Sequence, residues 1–222
     1  MLQIGKKVFW LAAMTLVFAS CGPKENKLGH DIPTELFVRF TEGTLVEPEA
    51  GSINVRPSAF KPNPAMKPFI AHLSSAHGGG SFSYLPGDSA VRLKKGVWYR
   101  IENFLFDSKY NPISDQIMKP DQIERHQFFF NLMSRGGVVS KGLSYYYADT
   151  TATQFIESPV GLNGYIRIDQ EKEEPEIRIM LIHVENGTKN EADGKPNPFD
   201  KPSPRVLEFG DLSTVVPFEY RK

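Results

Sequence analysis

The segment "DQIERHQFFFNLM", residues 121–133, decides how the chain is read. Taken as a strand over residues 124–130, its side chains alternate between two faces with period two. Glu124, His126, Phe128 and Phe130 then share one face, and Arg125, Gln127, Phe129 and Asn131 share the other. The first face is polar at its start and apolar beyond, so His126 falls where a core face meets the rim of a sheet. "EIRIMLIHVE", residues 176–185, reverses the order: Ile177, Ile179, Leu181, His183 and Glu185 share a face, and the polar pair closes the run. Antiparallel neighbours bring the start of one strand beside the end of the other. Glu124, His126, His183 and Glu185 are therefore expected to converge at one rim. Two imidazoles with one or two carboxylates suit a divalent metal ion, zinc or iron foremost. The competing reading is structural, since a histidine at the end of an apolar face commonly just hydrogen-bonds a carbonyl or a carboxylate.

The rest of the chain follows the same pattern. "ELFVRFT", "GSINVRP", "FIAHLSS", "AVRLKKGVWYRIENFLFD", "LSYYYAD", "GLNGYIRID" and "VVPFEYR" are rich in aromatic and β-branched residues and are punctuated by turn residues. Helical periodicity is scarce. Only "NPISDQIMKPDQIER" has room for a turn or two of helix, and Pro120 interrupts it. The expectation is an all-β protein: an antiparallel β-sandwich, immunoglobulin-like or related, of about nine strands. Two proline-rich stretches, residues 56–68 and 185–204, read as loops because proline removes ladder donors. A loop as long as the second is usually functional or mobile.

The N-terminus indicates location. Lys6 and Lys7 precede a thirteen-residue, mostly apolar run from Val8 to Ser20. That run falls short of the roughly 20 apolar residues a membrane-spanning helix needs, and it fits a cleaved secretory signal over residues 1–20. "VFASC" has the small residues before a cysteine that mark a bacterial lipobox, and Cys21 is the single cysteine of the chain. Acylation of Cys21 would account for both its presence and its solitude, and several acyl chains on one residue give stable membrane anchoring. Residues 21–34, polar and rich in breakers, read as a lipidated tether to a single sandwich domain over 35–222. The mature chain would hold 24 basic and 26 acidic residues, a formal charge of −2. That balance gives no electrostatic footprint for nucleic acid. No disulfide can form, so about 200 residues must build the core unaided.

Other candidates are weaker. His72 and His77 are five apart and fall on opposite faces of a strand. Gly78 to Gly80 lack the lysine and hydroxyl residue of a phosphate loop and read as a flexible turn. Tyr145, Tyr146 and Tyr147 with Trp98 and Tyr99 would make an aromatic ligand platform or ordinary strand packing. No hydrolase elbow or metalloprotease helix motif occurs, and nothing points to an enzyme.

"IERHQFFF", "YADT" followed by "SPVGLNGYIRI", and "IRIMLIHVENGTKN" together resemble a family of small outer-membrane lipoproteins of Bacteroidetes. The matching positions are His126, Gln127, Phe128, Phe129, Tyr147, Asp149, Pro159, Val160, Gly161, Leu162, His183 and Lys189. The resemblance runs over roughly residues 35–220. Members are sometimes labelled type 1 periplasmic-binding fold proteins, a label that implies alternating helices and strands and conflicts with this pattern. "QIER" is less acidic than the family's run ahead of the histidine. The resemblance implies an accessory to a TonB-dependent outer-membrane receptor in the uptake of a metal ion or metal-bearing small molecule. The alternative is a structural or interaction lipoprotein of a cell-surface or transporter assembly, without a ligand site. Asp88-Ser89-Ala90 and Asp149-Thr150-Thr151 also match the O-glycosylation acceptor pattern of these bacteria, making Ser89 and Thr150 candidate modified residues.

Overall fold

The computed structural model describes residues 30–76, 80–85, 90–151, 154–185, 187–191, 193–207 and 210–222. The signal segment 1–20, Cys21, His77 and Ser89 lie outside them. The strands are β1 (Glu35–Leu45), β2 (Phe60–Pro62), β3 (Phe69–Ser74), β4 (Gly80–Ser81), β5 (Ser83–Leu85), β6 (Val91–Leu93), β7 (Trp98–Phe106), β8 (His126–Ser134), β9 (Gly137–Val138), β10 (Leu143–Tyr147), β11 (Asn163–Ile168), β12 (Glu176–His183) and β13 (Gly210–Tyr220). Short helices α1 (Ser114–Ile117) and α2 (Pro120–Ile123) precede β8, and α3 (Pro204–Leu207) precedes β13.

These strands form two packed sheets. The first runs β10-β11-β7-β1-β3-β5 with β2 beside β1, and the second runs β4-β13-β12-β8-β9 with β6 beside β13. The expected all-β sandwich is present. Two details differ. Five strands of two or three residues are too brief to show alternation in sequence, which is why thirteen strands stand where about nine were expected. β13 also pairs in parallel with β4 and β6, although every other ladder is antiparallel. The run 91–106 is two strands, turned at Gly96, which has φ +75°. "GSINVRP" contributes only an isolated bridge between Asn54 and Tyr147.

Alternation puts Leu36, Val38 and Phe40 of β1 into one cluster with Phe128, Phe130, Ile177, Ile179 and Leu181 of the second sheet, all fully buried. Each such side chain adds roughly 1.5–3 kcal/mol. Phe129 points the other way, yet it too is buried, with Met180, Ile182, Val184 and Val206. Val184, and Val206 of α3, cover it, and the long loop over residues 185–204 leads into α3. That loop lies across the outer side of β8, where Asn197 and Asp200 offer their carbonyls to the side-chain amides of Gln127 and Asn131. The backbone N–H groups of Phe128 and Phe130 are satisfied by the carbonyls of Val160 and Phe199. Beyond β12, loops thus cover β8 where a neighbouring strand would otherwise be needed.

Candidate metal centre

Pro120 at the first position of α2 ends one short helix and starts another, so the chain reaches residue 123 as helix rather than strand. β8 begins at His126. β12 ends at His183, and the two histidines are paired residues at the last rung of the β8–β12 ladder. Their rings stack at 4.3 Å between centroids, interplanar angle 29°. The expected convergence of these two side chains is therefore observed. A third imidazole completes the group: His30, five residues before β1, places its ring 4.8 Å from that of His126 and 5.1 Å from that of His183. One nitrogen from each ring lies within 4.8 Å of the other two.

The hydrogen bonds to carbonyls constrain the ring tautomers. His126 Nδ1 lies 2.9 Å from the carbonyl oxygen of Gln122, and His30 Nδ1 lies 2.7 Å from that of Asp31. A carbonyl only accepts, so both Nδ1 atoms carry the proton. In neutral rings both Nε2 atoms then present lone pairs, and these face each other at 3.0 Å. His183 Nδ1 is 3.3 Å from His30 Nε2. Two lone pairs at that separation repel unless a proton or a metal cation lies between them. Burial of the ring is the main cause holding His126 down to about 3, helped by the neighbouring His183, His30 and Lys189. Burial first, then His30 and Arg125, holds His183 down to about 4. Near neutral pH His126 and His183 are therefore held neutral, with ring nitrogens able to ligate a cation. Ligand nitrogens around a tetrahedral zinc, at 2.0–2.1 Å from the ion, stand about 3.3 Å apart; the two contacts made by His30 Nε2, 3.0 and 3.3 Å, are close to that, and the group as a whole lies within 4.8 Å. The Nδ1–H donations to carbonyls are the outer contacts that hold metal-bound imidazoles in one tautomer. His183 Nε2 is buried and has no hydrogen-bond partner among the described residues.

The carboxylates are not part of this group. Glu124 occupies the C-cap of α2 in helical conformation, before the strand begins, and takes part through its backbone carbonyl, which accepts the Lys189 N–H. Glu185 lies two residues beyond the end of β12, is exposed, and offers its carbonyl to Arg125. Strand alternation does not extend to either residue. His30 was read as part of a tether, and no periodic pattern marks it. Its segment is nonetheless docked: His30 and Pro33 are buried, and Thr34 exchanges backbone hydrogen bonds with Phe106 and Ser75.

A second polar knot supports the first. Lys189 is fully buried and donates its ammonium to the carbonyls of Ile123, His126 and Pro159 at 2.5–2.9 Å. Burial pulls it down to about 7, opposed by Glu124 and Asp149. Asp149 accepts the backbone N–H groups of Val160, Gly161 and Asn163, while burial pushes its carboxyl up. Tyr147 donates to the carbonyl of Phe128 and accepts from Gln127. Gln127, Tyr147, Asp149 and Lys189 thus tie the loops to the start of β8.

The remaining candidates lie elsewhere. His72 bonds Glu35 at 2.7 Å and stacks on Phe37, apart from the histidine group. Trp98, Tyr99, Tyr145 and Tyr147 are all at most 6% exposed, taken up by packing, while the half-buried Tyr146 lies against Trp98 at 5.4 Å between centroids. Thr150 is exposed, in a bridge with Phe155. The molecule is thus a two-sheet β protein with a buried group of three histidines able to hold a metal ion. No protein-family model, curated protein or solved structure matches the chain.

Proposed function

We propose that this protein is an envelope lipoprotein that binds a divalent transition metal, zinc foremost, through His30, His126 and His183. The observation that carries the reading is the buried group of three imidazoles, His30, His126 and His183, each with a ring nitrogen within 4.8 Å of the others. An all-imidazole set suits zinc, copper or nickel and offers nothing to calcium or magnesium. Without a carboxylate it also lacks the two-histidine, one-carboxylate face of non-haem iron sites, which moves the expectation from iron to zinc. Burial of all three rings favours holding an ion over turning over a substrate. Anchoring through Cys21, and service to a TonB-dependent receptor in metal uptake, rest on the lipobox and on the family resemblance.

The same burial favours a second reading, in which the protein is an interaction module and the histidines are structural, sharing one proton. Elemental analysis and cobalt titration of protein purified without chelators separate the two. Binding predicts a zinc ion per chain and, on cobalt substitution, the intense visible bands of a tetrahedral site. His126→Ala should abolish both, and His72→Ala should change neither. Metal-free protein that takes up no cobalt would leave the structural reading.

A further inference from the structure

β1 begins five residues after His30 and runs for 11 residues, roughly 35 Å of extended chain. Its last residues therefore lie at the end of the first sheet away from the histidine rim. There the end of β1, the adjoining β2, the turn at Gly96 and Arg167 of β11 line a cleft of about 720 Å³, a size usual for small-molecule sites. We propose that this cleft is a second ligand site, independent of the metal centre, and that it takes a neutral saccharide.

The polar groups of the cleft are held in place by one another. Glu47 Oε1 accepts from Trp98 Nε1 at 3.1 Å and from Arg167 at 2.5 Å. Arg167 is braced in turn by Asp169 at 2.7 Å and lies 4.7 Å over the Trp98 ring. Glu42 accepts from Asn63 at 3.0 Å and pairs with Arg221. Charge is balanced, with Glu42, Glu47 and Asp169 set against Lys61, Arg167 and Arg221, so the cleft presents no net field to an ion. Among the described residues, Glu47 Oε2 and the Lys61 ammonium are left without a partner. A carboxylate fixed by an arginine accepts hydroxyl protons, and an ammonium donates to hydroxyl and ring oxygens. Leu45, Pro62 and Val97 add apolar surface for the C–H faces of a sugar ring. A neutral, polyhydroxylated ring uses all three features. A peptide strand would need an open strand edge, whereas β1 is paired with β2 from Gly43 to Leu45 and with β7 up to Gly43.

The cleft carries its own reporter. Trp10 and Trp98 are the two tryptophans of the chain, so in full-length protein bearing Trp10→Phe the tryptophan emission comes from Trp98 alone. Maltohexaose, laminarihexaose, xylohexaose and chitohexaose are each titrated into the millimolar range in a sugar-free detergent. At least one should shift the emission saturably, and a metal chelator should leave that shift unchanged. Glu47→Gln and Lys61→Ala alter exposed side chains, and each should weaken the response about tenfold. No saturable shift with any of the sugars would overturn the proposal. So would a shift that both variants retain at wild-type strength, or a response to N-acetyl-tetraglycine amide and to none of the sugars.

Discussion

Lys189 shows how much depends on single groups around the histidines. Its ammonium satisfies the carbonyls of Ile123, His126 and Pro159 at once. Lys189→Met would fill the space and leave three buried acceptors without donors. The loss should be about 3 kcal/mol or more, visible as a fall in the urea midpoint, and an unchanged midpoint would show that water replaces the ammonium. The rings themselves give a pH signature. His126 and His183 sit at about 3 and about 4 in the folded protein, below the ordinary 6.5. Between those values the unfolded chain binds protons that the folded, metal-free protein does not. Its stability is therefore full above pH ~6.5 and is lost as pH falls toward ~4. Urea midpoints of metal-free protein should decline across that window, and the slope should flatten when both rings are replaced by Gln. A midpoint independent of pH there would mean that the rings are not held neutral.

At the scale of elements, the turn after residue 159 is the part most sensitive to shape. Gly161 has φ +92°, and a Cβ there would come within 2.7 Å of the Phe128 Cβ. Gly161→Ala meets both backbone strain and a clash with β8, so it should cost about 2–4 kcal/mol. Because that turn also holds Asp149 and borders Lys189, zinc affinity should fall with it. Calorimetry on the same variant checks this, and unchanged affinity in a destabilised protein would uncouple the knot from the centre. Legibility follows the same division. The alternation of β8 and β12 is local, and it was enough to bring His126 and His183 to one rung. Glu124 and Glu185 continue that alternation in the sequence, but α2 and the strand end cut it off, a matter of turn geometry that period-two spacing does not carry. His30 left no trace at all. It lies outside any repeating element, and its contact with His183 spans 153 residues. The covering of Phe129 by Val206 of α3 is equally hidden, because composition says nothing of where the loop before α3 takes it.

For the molecule as a whole, an ion that joins the two sheets should raise the unfolding temperature in proportion to its binding. At free zinc one hundred times Kd, the folded state gains about 2.7 kcal/mol. Thermal scans with and without a chelator should differ accordingly, and the difference should vanish in His183→Ala. Cys21→Ala should move the protein from the membrane fraction to the soluble one, since acylation there is the anchor proposed, and retention in the membrane would refute it. The position of His30 then has an outcome for posture. Eight residues lie between Cys21 and His30, a reach of at most about 30 Å when fully extended. If Cys21 carries the proposed anchor, the histidine rim is kept within that reach of the lipid surface. An anchored molecule would then meet metal ions at the layer of water next to the lipid headgroups, where the anionic surface concentrates divalent cations.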